Sequence, residues 1–259
     1  MQETLQSQIL FIGGLHRSGT TPLVQLLGSS SNVSVFRNTG AIEDEGQFLQ
    51  SVFPLDGAFG GPGRFALHPD SHLTEESPLV AKAQQELFAQ WCRYWDLSRL
   101  LLVEKTPAHL IQSRFLQAVF PNAKFLFIIR HPVPVSLATA KWCGAYISDL
   151  IKHYVKAHNI LLEDLPHLLQ AKVIFYEQLV KSPEKILERL QHFLELDLRC
   201  DLGLIRWGCS RRYFVAFWTG NYHLRGRPPV KRLLKRLFNA ASAPLLILRY
   251  ERSVRRFGY

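Results

Sequence analysis

Residues 13–23 read GGLHRSGTTPL, directly behind the apolar run ILFI and ahead of a helix-forming stretch. Gly14, four residues, Gly19, then Thr20 and Thr21 is nearly the phosphate-loop frame G-x-x-x-x-G-K-S/T. In that frame the lysine reaches the outer phosphates of a nucleoside triphosphate, and here it is absent. The remainder still suits an anion, because a loop leaving a parallel strand and entering a helix aims its N–H groups and about half a positive charge at a ligand. Arg17 adds a planar cationic fork and Gly19 lets the backbone come close. Ser18, Thr20 and Thr21 complete the loop, the threonines with hydroxyl donors.

Ligands of open parallel sheets bind outside the carboxyl ends of the strands, so the other strand ends carry information. The run LLLV (100–103) is followed by Glu104, Lys105, Thr106 and Pro107, and KFLFII (124–129) by Arg130 and HPVPVS. A sheet edge bearing Arg17, Lys105 and Arg130 fits a ligand with several anionic groups. No strand ends in an aspartate of the Walker-B type, so a magnesium triphosphate site is not expected, and no metal ligand set is predicted.

In order along the chain, RSGTT (17–21), EKTP (104–107), FPNAKFLFIIRHP (120–132), RHPVPVS (130–136) and FYEQLVKSPEKILERLQHFLEL (175–196) resemble the motif series of sulfotransferases that use 3′-phosphoadenosine 5′-phosphosulfate (PAPS). The resemblance spans most of residues 8–196. It implies that Arg17, Ser18, Gly19, Thr20 and Thr21 hold the 5′-phosphosulfate, that Lys105 contacts the sulfate-bearing region, and that Arg130 with a downstream hydroxyl holds the 3′-phosphate. The family serine commonly lies eight residues after the arginine, which is Ala138 here; Ser136 and Thr139 are the candidate substitutes. On a helix Thr139 is turned about 100° from position 138 and Ser136 about 200°.

The missing lysine then has a reason, since this donor has no β,γ-phosphate chain. An acceptor hydroxyl or amine must lose its proton as it attacks in line, and that needs a base. The acidic run IEDEGQF (42–48) falls where related carbohydrate and tyrosylprotein sulfotransferases keep a catalytic glutamate. Glu45 fits best, with Phe48 at the aromatic position of the family stretch; Glu43 is the second choice and Asp44 lies between them. His16 and His131 are the rival bases, and Asn38 and Thr39 are candidate acceptor contacts by proximity. The acceptor is expected to be a carbohydrate, and the transfer to proceed without metal.

Short unalternating apolar strands with helices between them predict an α/β fold: a three-layer sandwich with a mostly parallel sheet between helices, as in the P-loop NTPase-like sulfotransferases. The elements expected are strands 8–13, 100–103, 124–129 and 172–175, and helices 20–29, 77–95, 107–120, from about 132, 146–164 and 183–196. Residues 54–72 are dense in Gly and Pro and are expected to run irregularly over the surface as a rim or lid. One domain, 1–259, is expected, with a nucleotide-binding core at about 8–196 and a basic extension at 197–259.

The net charge of +10 lies in that extension: Arg206 to Tyr259 holds 13 Lys or Arg against one acid, Glu251. Such a field concentrates anions of any kind. Arg225 and Arg227, in TGNYHLRGRPP, either meet the 3′-phosphate or an anionic acceptor or sit in a plain surface loop, and VKRLLKRLF (230–238) is a candidate basic amphipathic helix read first as a solvated surface face, with peripheral membrane contact as an alternative the sequence does not itself support. Aromatic platforms at regular spacing are lacking, so a nucleic-acid partner is not expected. The four cysteines show neither zinc-site nor disulfide spacing. No run of about 20 apolar residues or leader is read, and a cytoplasmic location is expected. Two other functions compete: a degenerate P-loop kinase or NTPase, and a non-catalytic binder of anionic polymer through the basic tail.

Overall fold

The computed structural model of the protein describes residues 7–206, 208–222 and 228–259. Strand β1 (Gln8–Gly13) leads into helix α1 (Thr20–Leu27) and the short strand β2 (Val33–Val35). Helix α2 (Val80–Trp91), strand β3 (Leu101–Lys105), helix α3 (Ser113–Val119) and strand β4 (Lys124–Ile129) follow. Helices α4 (Pro132–Cys143) and α5 (Ile147–Asp164) precede strand β5 (Ala171–Phe175). Helices α6 (Tyr176–Lys181), α7 (Pro183–Leu194), α8 (Arg211–Trp218) and α9 (Pro229–Arg255) complete the chain.

All strands run parallel, in the order β2-β3-β1-β4-β5. Period-two alternation divides their side chains between two covered faces. Phe11, Phe125 and Phe127 enter the layer built by α2, α3 and α5, while Leu10, Ile12, Leu126 and Ile128 pack under α1, α6 and α7. A third cluster joins α4, α5, α8 and α9 through Leu137, Ile151, Phe217 and Ala243. The chain leaves β1 toward the β2 side and leaves β4 toward β5. The loops after these adjacent strands therefore part company, which opens a crevice at their carboxyl ends.

The expected α/β sandwich is thus present, with several local differences. Strand β2 was not anticipated; its three residues are too short to stand out as an apolar run. Strand β3 runs to Lys105, so Glu104 and Lys105 belong to the strand, opposite Phe11 and Ile12 of β1. The helix expected over 107–120 is split: a 3₁₀ turn covers Pro107–Ile111, Gln112 leaves helical geometry (φ −125°, ψ 9°), and α3 starts at Ser113. The backbone of Gly13 presses against Leu110 there, so close that a Cβ at Gly13 would stand 2.7 Å from the Leu110 nitrogen. Residues 54–72 do not merely cross the surface, because Asp56, Phe65, Ala66 and Ser71 are buried. The basic helix is far longer than 230–238 and continues through Pro244.

Two buried histidines on α5 make the fold sensitive to acid. The Nδ1–H of His158 donates to the Tyr154 carbonyl at 2.8 Å, which leaves Nε2 a buried acceptor with no partner among the described residues. Burial pushes His158 down to about 4, and burial with neighbouring His16 and His158 pushes His153 down to about 3. Both lie below the ordinary value near 6.5, so the unfolded chain takes up these protons first and stability is lost as pH falls below it. At pH 5 each histidine should cost about 2 kcal/mol relative to pH 7.5. Urea unfolding at the two pH values is expected to show this loss, and His158→Phe, facing Tyr154 and Phe257, should remove about half of it.

Candidate active site

Helix α1 starts without a side-chain cap, with Gly19 in the left-handed region at φ 108°. Its first N–H groups, those of Thr20 and Thr21, therefore face outward, and Pro22 has none to offer. Gly19 is required twice over: its φ suits glycine, and a Cβ would stand 2.5 Å from the Tyr176 ring. Arg17 also takes a left-handed φ, 69°, a strain that a non-glycine residue keeps only when its surroundings impose it. Its guanidinium lies 4.5 Å from the centroid of the Trp142 ring. Ser18 is buried beneath the loop, its Oγ without a partner among the described residues.

Arg130, at the end of β4, reaches across the crevice. It is only 7% exposed; Nη1 donates to the Arg17 carbonyl and Nη2 to Ser210 Oγ, both at 2.9 Å. Its plane rests on Tyr176, with Tyr213 on another side. Burial lowers its pKa, yet a guanidinium stays charged in proteins. Among the described residues neither Arg17 nor Arg130 pairs with a carboxylate. For Arg130, a buried cation left unpaired is costly and an anionic ligand removes that cost; Arg17 is exposed.

The acidic segment sits opposite. Lys105 Nζ donates to Glu45 Oε1 at 3.0 Å and to the Glu43 carbonyl at 3.1 Å, and Gln47 Nε2 donates to Glu45 Oε2 at 2.7 Å. Glu43 accepts from Thr21 Oγ1 at 3.3 Å. Asp44 is spent on structure. Burial raises its pKa, but the Thr39 hydroxyl and the amides of Thr39 and Asn38 outweigh this and hold the carboxyl below its ordinary value. The amides of Asn38 and Thr39 and the Thr39 hydroxyl, in the residues read as acceptor contacts, are engaged with Asp44.

Beneath this segment lies Glu104, fully buried. One of its oxygens accepts from the Gly46 N–H and the Thr106 hydroxyl, both at 2.7 Å, and the other meets His109 Nε2. Thr106 Oγ1 in turn accepts from the Gln47 N–H, and Trp91 Nε1 donates to the Gly46 carbonyl at 2.9 Å. Any Cβ at Gly46 would collide with the Glu104 carboxylate.

A cavity of about 260 Å³ lies between these groups, and Arg17, Gly19, Thr20, Thr21, Glu43, Glu45 and Arg130 all line it. Ser18 and Lys105 stand behind the lining. Ser136 and Thr139 are not brought to it: Ser136 is buried with no partner for its Oγ among the described residues, and Thr139 Oγ1 donates to the His16 carbonyl at 3.4 Å, while Ala138 faces the cavity. Helix α4 is buried almost all round, so one expected contact does not set its rotation. His131 is also removed from the site, because its ring accepts the Val133 N–H as an N-cap and packs against Phe214 and Tyr259. His16 does line the cavity, with Nε2 3.3 Å from an Asp56 oxygen. Arg225 and Arg227 lie outside the described residues.

The sequence reading missed Trp142, Tyr176, Ser210, Arg212 and Tyr213. Ser210 binds Arg130, and the other four line the cavity. The cluster SRRY (210–213) mixes cations, hydroxyls and an aromatic ring as an anion site does, and it was the available signal.

A profile described as Sulfotransferase family matches residues 9–199. Protein-tyrosine sulfotransferase 2 of Gallus gallus is 26% identical over 195 residues, covering 72% of this chain and 50% of the relative. Protein-tyrosine sulfotransferase 1 of Danio rerio is 24% identical over 196 residues, covering 73% and 53%. The chain thus spans about half the length of these curated relatives. The sulfotransferase domain from the Synechococcus PCC 7002 olefin synthase superposes with a TM-score of 0.52 at 20% identity, over 91% of this chain and 94% of that one. Sulfotransferase STF9 from Mycobacterium avium gives 0.50 at 15% identity, over 94% and 76%. Both structures share the fold.

The packing of Gly46 on Glu104 is testable. Gly46→Ala is expected to cost about 2 kcal/mol or more in urea unfolding, the range for overpacking beside a buried charge. Gly57→Ala, in the same irregular stretch with nothing within 4 Å of the new Cβ, should stay within about 0.5 kcal/mol.

Proposed function

The chain belongs to the sulfotransferase family, and from that premise we propose that it transfers a sulfuryl group from PAPS to an acceptor hydroxyl without a metal. The carrying observation is the pair of carboxylate-free guanidiniums, Arg17 and Arg130, at either side of an uncapped helix start, facing a lysine-held glutamate. The uncapped start of α1, with the Thr20 and Thr21 N–H groups facing outward beside Gly19, fits a bound phosphosulfate. In this reading Arg17, Ser18, Gly19, Thr20 and Thr21 hold the 5′ end and Arg130 the 3′-phosphate, with Ser210 in the place intended for Ser136 or Thr139. The core at about 8–196 and the extension 197–259 then act as one domain, α8 closing the donor site.

The donor supplies the sulfuryl group and leaves as 3′-phosphoadenosine 5′-phosphate. Glu45, positioned by the Lys105 Nζ bond, takes the acceptor proton as the acceptor oxygen bonds to sulfur and the sulfur–bridging-oxygen bond breaks. Arg17 and the α1 N–H groups stabilise the charge that develops on the leaving phosphate. Lys105, engaged with Glu45 and the Glu43 carbonyl, orients the base, which leaves Arg17 as the cation for the leaving group. The names of the Gallus gallus and Danio rerio relatives favour a tyrosyl phenol as acceptor, against the carbohydrate hydroxyl expected from the sequence. A screen of tyrosyl peptides and oligosaccharides with labelled donor separates them.

Calorimetry in chelator is expected to show binding of 3′-phosphoadenosine 5′-phosphate, and Arg17→Ala and Arg130→Ala should each weaken it by about 2 kcal/mol or more. Binding of a magnesium–ATP analogue with no binding of the bisphosphate would instead support the kinase or NTPase reading.

Glu45→Gln should leave that affinity within about threefold and abolish transfer, a difference only a transition-state role produces. Unchanged turnover would move the base to Glu43 or to His16.

A further inference from the structure

Helix α9 is anchored on one side only. Asn239 and Ala243 are buried against α8 and α5, Asn239 Nδ2 donates to the Gly220 and Tyr222 carbonyls, and Arg236 Nε donates to the Thr219 carbonyl. On the opposite side Val230, Leu233, Leu234, Leu237, Phe238, Leu245 and Leu248 are each between 57% and 71% exposed. At about 100° per residue these seven fall in one stripe about 140° wide, running about 27 Å along the axis. A soluble monomer rarely leaves such a stripe in water.

The charges beside the stripe say what covers it. Lys231, Lys235 and Arg249 flank one edge, and exposed Arg252 and Arg256 continue past Leu248. Residues 228–259 carry eight Lys or Arg against one acid, Glu251. Two copies packed stripe to stripe would bring like charges together. A soluble polyanion would satisfy the cations and leave the leucines in water. A bilayer with anionic headgroups satisfies both, with the apolar side chains among the acyl chains and the cations at the phosphates. No described helix is long and apolar enough to cross a membrane, so α9 would lie in the interface plane.

We propose that α9 is an interfacial helix that docks this protein on anionic lipid surfaces. Docking does not depend on the transfer reaction and is tested without it. The full chain is mixed with sucrose-loaded phosphatidylcholine vesicles with and without about 30% phosphatidylserine, and the bound fraction is measured after sedimentation at low and high salt. Binding is expected to rise at least about tenfold with phosphatidylserine and to fall with salt. L234E/L237E should lose at least about tenfold in vesicle binding while keeping its melting temperature and its retention on heparin. K231E/K235E should lose the phosphatidylserine dependence. Equal binding of native protein and L234E/L237E would overturn the proposal, as would no preference for anionic vesicles. Light scattering that shows a native dimer, absent from vesicles and dissociated by L234E/L237E, would assign the stripe to a second copy instead.

Discussion

The carboxylate of Glu104 sits at the centre of the sheet's carboxyl edge with no access to water, where an oxygen without a donor would be expensive. Its donors come from chain segments far apart in sequence: Gly46 from the acidic run, and Thr106 and His109 from the turn after β3. Satisfying that one buried group draws residues 45–47 onto the strand end and holds them there. Because side chains alternate along β3, Lys105 points to the other face and meets Glu45. The pairing of base candidate and lysine is therefore a result of how Glu104 is buried, and Gly46 is the residue whose lack of a side chain permits it.

On the opposite wall the balance is reversed. Arg17 and Arg130 are held by carbonyls, hydroxyls and aromatic rings, groups that orient a cation without neutralising it. Left-handed φ at Arg17, and a helix start with no cap, add to the local cost. Natural folds accept such costs where a ligand removes them. The large aromatic core on the α2, α3 and α5 face, with Phe11, Trp91 and Phe120 in mutual contact, supplies the stability that tolerates this wall.

Much of the framework was legible along the chain. Strands β1 and β4 matched their apolar runs end to end, because a strand buried on both faces leaves no doubt about its extent. Arg17, Glu45, Lys105 and Arg130 were readable because each adjoins one of those strands or follows the first helix. The hydroxyl beside Arg130 was not. A helix as uniformly apolar as α4 has no polar face to fix its rotation, so neither Ser136 nor Thr139 could be oriented from spacing. Ser210 and Tyr213 arrive from some 80 residues downstream and meet Arg130 only through the packing of α8 on α4. Lengths of helices were misjudged where the break, as at Gln112, falls at neither a proline nor a glycine in the sequence.

The bond from Arg130 to the Arg17 carbonyl spans the gap between β1 and β4. It ties the Arg130 guanidinium to the backbone of the loop that carries Arg17, so that cation and the loop keep one separation. The crevice consequently behaves as a calliper of fixed opening. A ligand that engages both arms is sorted by the separation of its anionic groups before its total charge matters, and an anion with a single charged end meets only one jaw.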